Sequence, residues 1–212
     1  MKTKGIIFDL DGTLLYTLED LKDSTNYALK KLGLEPITIE KTRQFVGNGI
    51  NNLLKRALGD NIEYLEPCFD IFMKHYKINC KNNTKPYDNI TKILEKIKDE
   101  GIKLAILSNK VDNSVKELSC YYFKNIFDIS MGESAVFPKK PDSKACNYII
   151  NEFNLKKDEV IFVGDSEVDI QTAANAGIEC ISVSWGYKTK EFLEKHNAKK
   201  IIDSPFELLD II

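Results

Sequence analysis

Residues 5–13 read Gly-Ile-Ile-Phe-Asp-Leu-Asp-Gly-Thr. An apolar run, Ile6 to Phe8, ends abruptly in two aspartates, Asp9 and Asp11, and a turn at Gly12-Thr13. Short apolar runs of this kind belong to strands buried on both faces of a parallel sheet. Ligands in open α/β sheets sit beyond the carboxyl ends of the strands, which puts both carboxylates at the functional edge. Residues two apart on a strand point the same way, so Asp9 and Asp11 share one small site unless the chain turns sharply between them. Two close carboxylates repel and call for a cation, a proton or both. A hard ion such as Mg2+ suits oxygen ligands, and a carboxylate can also serve as a nucleophile. A lone Asp-x-Asp is nevertheless a weak motif, and a strand that simply ends in a turn explains it equally well.

Beyond Thr13 the period changes. Leu18, Leu21, Thr25, Ala28, Leu29 and Leu32 recur at helical spacing and stop at Gly33. Further helices are predicted over Ile39–Phe45, Ile50–Leu58 and Glu63–Lys81, and nothing between Tyr16 and Lys85 reads as a strand. From Pro86 onward strands and helices alternate. A helix with Ile90, Ile93, Leu94 and Ile97, capped by Asp88 or Asn89, precedes a strand over Ile102–Leu107. Val111–Tyr122 reads as a helix and Ile126–Ser130 as a strand. A helix opened by Pro141 turns Ala145, Tyr148, Ile149 and Phe153 inwards. Strands over Val160–Val163, Ile178–Val183 and Lys200–Ile202 follow, with helices over Glu167–Ala176 and Pro205–Leu209. Such alternation predicts an α/β fold, a Rossmann-like parallel sheet with helices on both faces. An α-helical cap is inserted into it. The core comprises residues 1–15 and 86–212 and the cap residues 16–85, with hinges near Leu14–Thr17 and Asn82–Tyr87.

With 212 residues the chain is long enough for a full core. Its net charge of -2 and lack of a strongly basic stretch argue against nucleic acid as the main partner. Cys68, Cys80, Cys120, Cys146 and Cys180 are scattered and form no Cys-x-x-Cys, as expected of reduced structural thiols in a cytoplasmic protein. The start is basic then apolar, but Asp9 and Asp11 interrupt it too soon for a signal peptide. No stretch is long and apolar enough to cross a bilayer, so no membrane partner is expected.

The other strand ends carry chemistry too. Ser108 and Asn109 follow Leu104–Leu107, where hydroxyl and backbone N–H groups can donate to a phosphate, although a plain N-cap is the commoner fate. Lys139 and Lys140 precede Pro141, and a lysine there can bind phosphate as a point charge. Asp165 ends a strand and Asp169 lies one helical turn later, so both can face the same edge, although capping alone could explain either. Two carboxylate pairs at separate strand ends would repel unless a cation binds. His75 and His196 read as structural or surface residues. Trp185-Gly186-Tyr187 either lines the core entrance or packs.

Together, Asp9-Leu10-Asp11-Gly12-Thr13, Ser108-Asn109, Lys140-Pro141 and Gly164-Asp165-Ser166-Glu167-Val168-Asp169 resemble the motifs of the haloacid dehalogenase-like superfamily. Phe45-Val46-Gly47-Asn48-Gly49 and Trp185-Gly186-Tyr187 look most like its phosphoglycolate phosphatase branch. The resemblance implies Asp9 as nucleophile, forming an aspartyl-phosphate, and Asp11 as general acid and then base. It implies Mg2+ held by Asp9, the Asp11 backbone carbonyl and Asp165, with Asp169 as ligand or support. Thr13, Ser108, Asn109 and Lys140 would serve the phosphoryl group, and Arg43 and Asn48 of the cap would select the substrate. Tyr16 stands where many relatives carry an acid, which bears on cap closure, and Ser143 replaces a common proline.

The implied activity is a Mg2+-dependent phosphatase acting on a small phosphorylated metabolite, as a monomer or weak homodimer. A phosphomutase of the β-phosphoglucomutase type, a pyrophosphatase or a nucleotidase would use the same scaffold. A phospho-acceptor signalling domain would place its acceptor on a later strand than its metal-binding pair. An inactive binding protein would not need every chemical position filled.

Overall fold

The computed structural model describes residues 3–212; residues 1 and 2, the start of the basic N-terminal flank, lie outside the described residues. The chain divides into two compact units. One combines the segment ending at Leu15 with Pro86–Ile212, and the other is Tyr16–Lys85.

The first unit is built on six strands: β1 (Gly5–Phe8), β4 (Lys103–Val111), β5 (Ile129–Glu133), β6 (Val160–Gly164), β7 (Glu179–Val183) and β8 (Lys200–Ile202). They form one sheet in the order β5-β4-β1-β6-β7-β8, with every neighbouring pair parallel. All residues of β1 and β6 are buried, so both faces of the sheet centre are covered. This is the α/β architecture expected from the alternation. On one face Ile7, Ala105 and Phe162 pack with Ala145, Ile149 and Phe153 from the segment of α7 (Lys144–Glu152) and with Ala173 and Ala176 of α8 (Glu167–Ala176). Chain order reverses around β1, with β4 and β5 to one side and β6 to β8 to the other. Such a switch point opens a crevice at the carboxyl ends of the central strands.

The second unit is helical: α1 (Leu18–Lys31), α2 (Ile39–Phe45), α3 (Ile50–Leu58) and α4 (Leu65–Asn79). Gly33, at φ +73°, accepts the left-handed turn that ends α1, and Leu34 donates its N–H back to the Leu29 carbonyl at 2.9 Å. The apolar stripes of α3 and α4 bury Leu53, Leu54, Cys68 and Phe72.

Several expectations need correction. Tyr16 and Lys85 do lie in strands: β2 (Leu15–Tyr16) and β3 (Lys85–Pro86) form a two-stranded sheet where hinges were expected. Two residues are too few for a periodic signal. Asn89 does precede α5 (Ile90–Asp99), but it is left-handed (φ 64°) and its side chain makes no capping bond. β4 continues through Ser108-Asn109-Lys110 instead of stopping at Leu107, and α6 (Asp112–Tyr122) follows directly, so neither Ser108 nor Asn109 is an N-cap. β5 begins three residues later than predicted. Pro141 stands three residues ahead of α7, and Tyr148 points outwards, 41% exposed. A short helix, α9 (Lys190–Lys195), ends at His196 between β7 and β8, and Pro205–Asp210 is a 3-10 helix. Among the described residues no helix is long and apolar enough to cross a membrane.

Candidate functional site

β1 lies between β4 and β6, so the residues that leave these three strands meet at one edge. Asp9 follows β1, Ser108-Asn109-Lys110 ends β4, and Asp165 follows β6. Carboxylate oxygens of Asp9, Asp165 and Asp169 lie within 4.8 Å of one another, and all three residues are buried. The Lys140 ammonium sits between two of them, 2.8 Å from Asp9 Oδ1 and 2.6 Å from Asp169 Oδ1.

Each member is held by local chemistry. The Asp9 N–H donates to the Val163 carbonyl at 2.9 Å, continuing the β1–β6 ladder by one residue. Asp169 Oδ2 accepts from the Ser166 N–H (3.1 Å) and hydroxyl (2.6 Å), a capping box at the start of α8. Capping and the lysine contact thus coexist on one side chain. Asp165 Oδ2 accepts the Tyr187 N–H at 2.7 Å, and the Thr13 hydroxyl lies 3.4 Å from its Oδ1. The Trp185 indole N–H donates to the Thr13 carbonyl at 3.0 Å, so Trp185-Gly186-Tyr187 braces the turn after β1 against Asp165. Glycine is required twice here. A Cβ on Gly12 or Gly186 would lie 2.4 or 2.5 Å from Asp165 Oδ2, inside contact distance.

Lys140 is presented by the residues beside it. Its N–H donates to Asn109 Oδ1 (2.7 Å), and its carbonyl accepts from Asn109 Nδ2 (3.1 Å). The Lys140-Pro141 peptide is cis. Lys139 instead pairs with Glu133 at 3.4 Å, so the residue directly before the proline is the one at the cluster. Ser108 is buried and its Oγ accepts the Lys110 N–H at 3.3 Å.

Electrostatics follow from burial. Burial raises Asp9 to about 7, with Lys140 opposing and Asp169 and Asp11 adding. Asp165 is pushed well above the carboxylate range, by burial first and then by Asp9 and Asp169. Burial works against the charge on Lys140, but Asp169 and Asp9 outweigh it and hold the lysine protonated. Three buried carboxylates therefore face one ammonium, and the cluster offers only oxygen donors. That donor set fits a hard divalent cation such as Mg2+.

Asp11 departs from the shared site expected of the pair. The chain turns sharply after β1, with Leu14 and Leu15 N–H groups returning to the Leu10 carbonyl. Its carboxylate is not in the cluster; it pairs with Lys110 at 2.9 and 3.1 Å. No sequence pattern singles out Lys110, because a lysine after a strand is usually solvated. Arg43, exposed on α2, and Asn48, whose carbonyl accepts from Asn52 Nδ2 at 2.9 Å, belong to the helical unit. In that unit His75 bonds Ser24 at 3.0 Å and stacks on Tyr27; His196, in the first unit, stacks on Phe192. All five cysteines are free, and burial raises Cys146 to about 12, which suits structural thiols.

A family model described as "Haloacid dehalogenase-like hydrolase" matches residues 6–183. The chain is 33% identical over 183 residues to the phosphoglycolate phosphatase of Aquifex aeolicus (strain VF5), covering 86% of this chain and 85% of that protein. It is 30% identical over 222 residues to the phosphoglycolate phosphatase of Psychrobacter arcticus, covering 100% and 96%. A crystal structure from Lactobacillus delbrueckii subsp. bulgaricus, 30% identical, superposes with a TM-score of 0.95 over 98% of this chain and 97% of that one.

Proposed function

Because the chain belongs to the haloacid dehalogenase-like hydrolases, we propose that it is a Mg2+-dependent phosphatase of a small phosphorylated metabolite, with 2-phosphoglycolate as substrate. The substrate is supported by the names of its relatives. The chemistry is carried by one observation: Asp9, Asp165 and Asp169 are buried within 4.8 Å of one another, with the Lys140 ammonium between two of them.

Asp9 is assigned as the nucleophile. One of its oxygens forms a bond to phosphorus, the bond from phosphorus to the leaving oxygen breaks, and Asp11 delivers a proton to that oxygen. Asp11 then takes a proton from water. The water oxygen bonds to phosphorus, the bond to Asp9 breaks, and both aspartates return to their starting state. Lys140 and Ser108 hold the phosphoryl oxygens, where phosphoryl transfer needs positioning and charge neutralisation above all. Asn109 keeps Lys140 in place through both of its amide atoms. Thr13 and the Trp185–Tyr187 turn steady Asp165. Mg2+, held by Asp9, the Asp11 carbonyl and Asp165 with Asp169 as ligand or support, supplies charge neutralisation at the phosphoryl group. Tyr16–Lys85 is assigned as a cap that excludes water, with Arg43 and Asn48 reading the remainder of the substrate. The five free cysteines suit work in a reducing compartment such as the cytoplasm.

The test is phosphate release from 2-phosphoglycolate, sugar phosphates, nucleoside monophosphates and pyrophosphate. Each is run with Mg2+, with chelator, and with Asp9→Asn. Release that needs Mg2+ and Asp9 and is fastest on 2-phosphoglycolate is expected. A folded, Mg2+-loaded protein that releases nothing overturns the phosphatase reading, and another preferred substrate overturns the phosphoglycolate assignment alone.

A further inference from the structure

The bulge at the end of β4 carries a feature that the two-step reaction above does not use. Leu107 pairs with Met131, yet the next registered pair is Val111 with Glu133, so β4 advances four residues while β5 advances two. The surplus chain turns Ser108, Asn109 and Lys110 into the protein, each no more than 7% exposed. Bulges near functional sites re-aim side chains in this way. Gly132 makes the bulge possible: a Cβ there would lie 2.3 Å from the Lys110 carbonyl oxygen. Its N–H instead donates to Asp112 Oδ1 at 2.9 Å, closing the bulge against α6.

The Lys110 side chain, 3% exposed, delivers its ammonium to both oxygens of Asp11, at 3.1 and 2.9 Å. Burying an ammonium is costly and persists where the charge is answered. Asp11 is the more exposed partner, at 21%, on a turn that departs from strand geometry. An aspartate on a turn has rotamer freedom of its own, whereas one held through both oxygens does not.

We infer that Lys110 is a positioning residue: it fixes the Asp11 carboxylate in the orientation from which Asp11 exchanges its proton with the leaving oxygen and with water. Lys110 acts through Asp11 and does not touch the phosphoryl group, which is the task of Lys140. The inference rests on the acid/base assignment of Asp11.

The experiment compares 2-phosphoglycolate, whose alkoxide leaving group needs a proton, with p-nitrophenyl phosphate, whose leaving group does not. Both rates are read on one sample, so the folded fraction cancels in their ratio. Lys110→Met is expected to lower kcat on 2-phosphoglycolate about tenfold more than on p-nitrophenyl phosphate, with KM little changed. In an Asp11→Asn background, adding Lys110→Met is expected to leave the ratio where Asp11→Asn put it. Lys110→Gln repeats the test with a second neutral side chain. Equal losses on both substrates, or a rise in KM with kcat intact, overturn the inference while Asp11→Asn still shows its selective loss. If Asp11→Asn shows no selective loss, the acid/base assignment itself falls, and this inference with it.

Discussion

Two buried sites in this chain are built on aspartate, and they differ in how their charge is answered. Asp20, near the start of α1, is 1% exposed. It accepts the N–H of Asn83 (2.9 Å to Oδ1), the Asn83 side-chain amide (3.0 Å), the N–H of Thr84 (2.9 Å) and the Thr84 hydroxyl (2.8 Å). Neutral donors surround one charge and tie α1 to the segment that closes the helical unit. At the sheet edge, three buried carboxylates face the Lys140 ammonium, and Asp9 and Asp165 are held above the carboxylate range. Burial is common to both sites. The clustering of acidic groups belongs to the second, and the proposed function gives it a cation and a phosphoryl group to hold.

The contrast breaks first at Asp9. Asp9→Asn is expected to cut phosphate release by about 10⁴-fold or more while the chelated protein melts no lower than wild type. A variant that unfolds readily would make Asp9 a structural residue like Asp20. Asp20→Ala is expected to do the opposite. It leaves the N–H groups of Asn83 and Thr84 without their acceptor and costs about 3 kcal/mol, read as a lower melting temperature. Phosphate release per folded molecule should fall far less than in Asp9→Asn.

The pH dependence of stability sharpens the contrast further. The folded protein keeps a proton on Asp9 up to about 7, whereas the unfolded chain gives it up near the ordinary value of 3.8. Between those values the folded state binds more protons, so Asp9 lowers stability as pH rises. In chelator, the melting advantage of Asp9→Asn over wild type should therefore grow from pH 5 to pH 7, and Mg2+ should shrink it. A constant advantage would show that Asp9 is not held above its ordinary range. The smallest effect is expected at Trp185→Phe, which removes the bond to the Thr13 carbonyl and costs about 1 kcal/mol. Its activity should fall modestly and recover as Mg2+ is raised, because the brace acts on Asp165.

Legibility in the sequence tracked the strength of the local pattern. Ile39–Phe45, Ile50–Leu58, Glu167–Ala176 and Lys200–Ile202 stand in the structure with the predicted bounds, since each has a cap, a turn or a glycine at its ends. Ile126–Ser130 slid to Ile129–Glu133 because an apolar run does not state which carbonyls the neighbouring strand offers. Of the residues that meet at the sheet edge, Asp9, Ser108, Asp165 and Asp169 stand out in the sequence because they follow apolar runs or open the next helix, and Lys140 because it precedes Pro141. Lys110 does not, because its spacing is that of any surface lysine.

The sequence alone determined the parallel sheet, the inserted helices and the family, because buried strands, helical stripes and the four motifs are local patterns written in consecutive residues. Tertiary structure decided which charges meet. Asp9, Lys140 and Asp169 lie far apart in the chain, and only the strand order β4-β1-β6 brings their neighbourhoods to one edge. The parting of Asp11 from Asp9 toward Lys110 likewise depended on a turn and a bulge, whose geometry comes from hydrogen bonds with distant strands rather than from the residues that make them.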